Sequence, residues 1–181
     1  MKIIIYGSKY GSAKAYALEL SNRTVIEAKP LEETKNLSLY DTIIYIGGVY
    51  SGEIFGLKKM IQMIPKNSRP LILIAAVGLS DPKDEENIRS IRKRVEYLMP
   101  RYLYDRTRFV HLKGTMDRSK LQWLDKLLVR SLLARIKKRS SEGEAAEKNS
   151  WILNYNSEAQ SIDFSSLDEI TEILWSIRPV F

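Results

Sequence analysis

One unit constrains this chain more than anything else in it. A short uninterrupted apolar run leads into a turn of small residues, and an apolar stripe at helical spacing follows. Lys2-Ile3-Ile4-Ile5-Tyr6-Gly7-Ser8-Lys9-Tyr10-Gly11-Ser12-Ala13 opens the first such unit. Ile3 to Tyr6 lack polar alternation, as expected of a strand buried on both faces of a parallel sheet. Ala13, Tyr16, Ala17 and Leu20 then fall at i, i+3, i+4 and i+7, one face of a helix. A strand feeding such a turn and then a helix aims several backbone N–H groups, and the positive end of the helix dipole, at one point. That point suits a phosphate.

The unit recurs along the chain. Thr24–Ala28 reads as a second strand ended by Lys29-Pro30, and residues 31–40 as a connection with a helical turn. Thr42–Ile46 is a third strand, running into Gly47-Gly48-Val49-Tyr50-Ser51-Gly52, read as a loop. Ile54, Leu57, Ile61 and Ile64 give the next helical stripe, stopped by Pro65. Leu71–Ala76 is a fourth strand, broken at Val77-Gly78-Leu79-Ser80-Asp81-Pro82. Pro82 with Asp84, Glu85 and Glu86 reads as a helix start, and Ile88, Ile91, Val95 and Leu98 as that helix's apolar face. Thr107–Leu112 is a fifth strand. Beyond it the pattern predicts a long basic helix over 119–139, a mobile segment at 140–148, and a strand or anchoring segment at Trp151–Tyr155. A last helix is expected to start at Ser166, in a capping box with Glu169, with Leu167, Ile170, Leu174 and Ile177 as its stripe.

Five strands alternating with helices predict an α/β fold, a doubly wound five-stranded parallel sheet of order 2-1-3-4-5, in a single domain over residues 1–181. In that order the winding reverses between strands 1 and 3. The loops after those strands then flank a crevice at the strands' carboxyl ends. Both are rich in glycine and serine here, and the loop after strand 4 is also small.

Composition removes several kinds of chemistry. The 181 residues include no cysteine, which excludes disulfides, thiolate metal sites, iron–sulfur ligation and cysteine nucleophiles. His111 is the single histidine, so no multi-histidine metal site can be built. It lies inside Arg108-Phe109-Val110-His111-Leu112 and reads as a packed or surface strand residue rather than a catalyst. No apolar run approaches a membrane span, and no signal peptide is expected, which fits a cytoplasmic location. The net charge of +7 is compatible with an anionic substrate, an anionic membrane surface or nucleic acid, but no nucleic-acid motif accompanies it.

The binding candidates sit in three turns. Ser8, Lys9, Tyr10, Gly11, Ser12 and Ala13 offer backbone N–H groups and two hydroxyls, with Gly11 allowing close backbone approach. This is neither a Walker loop nor a G-x-G-x-x-G fingerprint, so a phosphate site and a purely conformational turn both remain open on this loop alone. Gly48, Val49, Tyr50 and Ser51 offer a flexible loop with a tyrosine to stack on a flat heterocycle. Val77, Gly78, Leu79 and Ser80 would close the other edge of that ring.

With these loops in place the chain resembles the flavodoxin-like family, which has a hydroxyl- and glycine-containing phosphate loop after strand 1 and ring-flanking loops after strands 3 and 4. The resemblance implies FMN as cofactor, with Ser8, Gly11 and Ser12 at phosphate-loop positions, Gly48 to Ser51 on one ring loop and Val77 to Ser80 on the other. Tyr10 and Ala13 depart from the pattern, standing where the family has hydroxyl-bearing or polar residues. Lys113-Gly114-Thr115-Met116-Asp117 and Gln122-Trp123-Leu124-Asp125-Lys126-Leu127-Leu128-Val129-Arg130 look like the corresponding stretch of menaquinone-dependent protoporphyrinogen dehydrogenases. That branch carries a long insertion around strand 5, here the basic helix. It implies a flavin oxidoreductase passing electrons from a porphyrinogen, or a similar reduced substrate, to a quinone such as menaquinone. It also implies peripheral contact with the inner face of the membrane. Trp123, Leu127 and Leu133 among Lys126, Arg130 and Lys137 fit an anionic interface, and equally fit a solvated face covered by the tail. No general acid or base is expected from the protein, since the flavin carries the redox chemistry. An FMN electron carrier for another partner, a binding module of this fold that has lost FMN, and a nucleic-acid-associated protein using the basic helix are the alternatives.

Overall fold

The structure is a computed structural model and describes residues 1–115 and 162–176. The expected basic helix at 119–139, mobile segment at 140–148 and segment at Trp151–Tyr155 lie outside the described residues.

The strands in chain order are β1 (Lys2–Gly7), β2 (Ala28–Pro30), β3 (Thr42–Tyr50), β4 (Glu53–Ile54), β5 (Leu71–Gly78) and β6 (Thr107–Lys113). Five of them run parallel in the order β2-β1-β3-β5-β6, which is the expected 2-1-3-4-5 once the two-residue β4 is set aside. β4 pairs antiparallel with the end of β3. The helices are α1 (Ser12–Thr24), α2 (Leu57–Gln62), α3 (Glu85–Leu98), α4 (Arg101–Tyr104) and α5 (Leu167–Ser176).

Why the central strands lack polar alternation is visible in their packing. Ile3 and Ile5 of β1, Ile43 and Tyr45 of β3, and Ile72 and Ile74 of β5 face one core, completed by Leu57 and Met60 of α2 and Ile91 and Val95 of α3. Ile4, Ile44, Ile46, Leu73 and Ala75 face the other, closed by Ala13, Tyr16, Ala17 and Leu20 of α1 and by Leu167, Ile170 and Leu174 of α5. Each fully buried isoleucine or leucine contributes about 1.5–3 kcal/mol relative to exposure. Both faces are therefore needed, and a polar residue in these runs would have no exposed side to occupy.

Several boundaries differ from the sequence reading. The second strand is Ala28–Pro30 rather than Thr24–Ala28. α1 runs on to Thr24, whose hydroxyl donates to the Leu20 carbonyl at 2.7 Å, and Val25 ends the helix at φ 58°. Gly47–Gly52 is not a loop. β3 continues through Tyr50, and the chain reverses at Ser51 (φ 51°) and Gly52 (φ 78°), with Tyr50 paired to Glu53. Positive φ at both central residues is the geometry whose twist suits a two-residue hairpin. Ile54 thus belongs to β4 rather than to the following helix. α3 starts at Glu85, not Pro82, because the Asp84 carboxylate accepts from the Glu86 and Asn87 N–H groups. Ile91 and Val95 are buried as expected, whereas Leu98 is exposed and Met99 takes the core place beyond it. The Ser166–Glu169 capping box does not form. The Ser166 hydroxyl donates back to the Asp163 carbonyl at 3.0 Å, within a 3₁₀ turn at Phe164–Ser166.

Candidate functional site

The carboxyl ends of β1, β3, β5 and β6 bring four segments together at one edge of the sheet. A cavity of about 40 Å³ there is lined by Tyr10, Ser12, Ala13, Gly48, Val49 and Tyr50, with Val77, Gly78 and Leu79 opposite and Gly114 and Thr115 closing it. Of the residues singled out from sequence, Ser8, Lys9, Gly11, Ser51 and Ser80 do not line it. Gly114 and Thr115 do, and sequence reading missed them. They entered the sequence reading only within the Lys113–Asp117 stretch of the resemblance, and their place after the fifth strand, which the topology sends to the same edge, was the signal for a site role.

The first segment is a backbone cradle. Gly11 precedes α1 at φ 104°, a conformation that favours glycine. Its N–H donates to the Ser8 hydroxyl at 3.0 Å, which closes the turn. A side chain added at Gly11 would meet none of the described residues within 4 Å. No side chain caps α1, and its first turn holds no acidic residue. Among the described residues the end of the helix dipole thus has no compensating acid in its own first turn, the condition that favours an anion.

Ser12 departs from the role expected of it. Its hydroxyl donates to the Thr115 carbonyl at 2.8 Å and accepts from the Thr115 N–H at 3.1 Å. It staples the start of α1 to the segment after β6. Tyr16 reinforces the same junction, its hydroxyl shared between the Lys113 carbonyl at 2.8 Å and the Asp163 carbonyl at 3.2 Å. Burial raises the Tyr16 pKa above its ordinary value and keeps it a donor, with the Ser166 hydrogen bond opposing the shift in part.

Aromatic rings close the other end. Tyr10 and Tyr50 meet edge to face at 5.5 Å, and Tyr50 meets Phe55 in the same way at 5.9 Å. The Lys9 N–H donates to the Tyr50 hydroxyl at 3.1 Å, and the Lys9 ammonium lies 5.2 Å from the Tyr50 ring centroid. Tyr50 rests against Gly48, where an added Cβ would fall 2.5 Å from its hydroxyl. The hairpin base is held from beneath by Tyr45, whose hydroxyl donates to the Phe55 carbonyl. Burial drives the Tyr45 pKa far above the ordinary tyrosine value, with Glu32 adding to the shift, so this donor is never lost.

His111 stands apart. It follows Val110 and precedes Leu112, both of which face the α1 core, so its side chain faces the other side of the sheet. Among the described residues no cluster of three His, Cys, Asp or Glu can hold a metal, and no helix is long and apolar enough to cross a membrane.

A phosphorylated flat ligand fits this edge in part. The cradle at Ser8–Ala13 has, among the described residues, the space and free helix end that a phosphate needs. The ring end, at about 40 Å³, is far below the roughly 300–1,000 Å³ of small-molecule pockets. Tyr50, lying on Gly48, is one of the side chains that narrow this end.

No curated protein matches the chain in sequence. Among solved structures it is similar to a Bacteroides uniformis protein provisionally assigned as a flavoprotein, at 14% identity over 68% of this chain and 96% of that one, with a TM-score of 0.47. The Trp repressor binding protein from Bacillus subtilis gives 14% identity, 78% and 100% coverage and a TM-score of 0.41. An NAD(P)H:quinone oxidoreductase from Methanothermobacter marburgensis gives 12%, 78% and 98%, and 0.41. The family model of the flavodoxin domain matches residues 3–143. With a match over most of its length, and with the sheet order and loop placement described above, the chain belongs to the flavodoxin domain family.

Proposed function

We propose that this chain is an FMN-dependent redox protein whose flavin lies at the edge where β1, β3, β5 and β6 end. The observation that carries this reading is the uncapped start of α1, clear of the other described residues beyond Gly11, placed beside the small-residue ends of β3 and β5 at the sheet's switch point. When bound, the flavin supplies electron and hydride transfer. The protein's own part is to bind, orient and exclude water. Backbone N–H groups of Ser12 and Ala13 hold the phosphate, Gly11 leaves room for it, Lys9 adds positive charge, and the Ser12 hydroxyl works as a staple to Thr115. Tyr10, Gly48, Val49, Tyr50 and Val77 to Leu79 border the ring. Within this reading the electron donor is a porphyrinogen or similar reduced substrate and the acceptor a quinone of the menaquinone type. The +7 charge favours propionate-bearing substrates and anionic lipid, and residues 119–139 supply the membrane contact.

The small ring cavity and the committed Ser12 hydroxyl favour a second reading, a module of this fold that has lost flavin. Titration of the purified chain with FMN, followed by calorimetry and visible absorbance, separates the two. Micromolar or tighter binding is expected, weakened about tenfold or more by Gly11→Asp, which places a carboxylate beside the phosphate. A folded wild-type chain that takes up no FMN at such concentrations establishes the second reading instead. Turnover of protoporphyrinogen with a menaquinone analogue then tests the substrate. Bound FMN without turnover leaves an electron carrier for another partner.

A further inference from the structure

A second, larger cavity of about 540 Å³ lies on the other side of the β3–β4 hairpin, between β4 and α3. Ile54 and Leu57 form one wall, and Ile91, Val95 and Leu98 the other. Lys93 and Arg94, both exposed, border it. Arg94 donates one N–H to the Ser51 carbonyl at 3.1 Å, which holds its guanidinium against the hairpin and leaves further donors for a ligand. Glu53 is the one acid in the lining, so the border carries a net positive charge. The volume falls within the range of small-molecule sites. It is a walled recess rather than the extended face of roughly 800 Å² per partner that a stable protein interface needs.

We propose that this recess binds a free small amphipathic anion, with its apolar body between the two walls and one sulfonate, carboxylate or phosphate against Lys93 and Arg94. The charge of the border selects an anion, and the apolar walls exclude a simple inorganic one. This site is separate from the flavin site and does not depend on flavin being bound.

The test uses a matched pair of fluorescent probes, 1-anilinonaphthalene-8-sulfonate and N-phenyl-1-naphthylamine, which share a skeleton and differ by the sulfonate. Titrated into the full chain, the anion is expected to saturate one site and to bind about tenfold tighter than the neutral probe, as for one charge-assisted contact. Lys93→Glu and Arg94→Glu, both at exposed positions of α3, should abolish that preference, with circular dichroism checking that the fold is retained. Ser90→Trp, at the exposed border, should weaken both probes by filling the recess. Equal affinity of the two probes overturns the proposal, as does an anion titration unchanged by Ser90→Trp. Anion-probe affinity weakened by Gly11→Asp would assign the probe to the other cavity and overturn the proposal too.

Discussion

At the scale of single residues, glycines on the neighbouring strands β3 and β5 tolerate a methyl group very differently. A Cβ at Gly47 would sit 2.3 Å from Ile54 Cγ2 and 2.9 Å from Tyr45 Cε1, both on buried side chains. At Gly78 it would lie 3.8 Å from Val49, in ordinary contact. Gly47→Ala is therefore expected to cost about 1–3 kcal/mol by overpacking, and Gly78→Ala to stay within about 0.5 kcal/mol of wild type, both measured by urea denaturation. His111 makes a pH prediction. Its Nε2 is buried without a hydrogen-bond partner among the described residues. Burial pushes its pKa below the ordinary histidine value, and Arg92 adds to the shift. The unfolded chain therefore takes up the proton first. Stability from this group is fully present above about pH 6.5 and is lost as pH falls through the lower folded value. Urea midpoints should decline on acidification, and His111→Gln should flatten that decline.

At the scale of elements, the hairpin depends on its buried anchor. Tyr45→Phe keeps the ring and removes the donor to the Phe55 carbonyl. It should cost about 1–3 kcal/mol in denaturant unfolding, the usual penalty for stranding a partly buried acceptor. The helices and long strands were legible because period and burial agreed: every residue of the α1 stripe is buried, as is every branched residue of Ile3–Ile5 and Ile43–Ile46. The hairpin was misread because three glycines within Gly47–Gly52 look like a loop. Gly47 is instead small because Ile54 folds back onto it. The Ser51-Gly52 pair between Tyr50 and Glu53 was the available turn signal. Thr24 to Ala28 misled for the opposite reason. Its β-branched residues suit a strand, but capping at the end of α1 leaves Val25 at 92% exposure, with no sheet to join.

At the scale of the whole molecule, alternating units set the layer order, and the layer order set the edge where the candidate site assembles. The four segments at that edge come from positions up to 107 residues apart in the chain, Ser8 to Thr115, so their meeting follows from topology rather than from any local motif. Ser12 illustrates the limit of residue-by-residue transfer, since only the folded chain shows its hydroxyl spent on Thr115. Tyr50 lying on Gly48, tied to the Lys9 N–H, carries a kinetic consequence. Under the proposed flavin reading, Tyr50 would have to leave Gly48 before the ring enters, so a ring-bearing ligand would meet only the open minority of the free protein. Its apparent dissociation constant exceeds the intrinsic one by the reciprocal of the open fraction. In stopped-flow mixing the observed rate of FMN capture should level off with rising FMN at the rate of ring release. Tyr50→Ala should restore a linear dependence while hastening dissociation. The tyrosine that would stack on the ligand is thus also the clock that times its arrival.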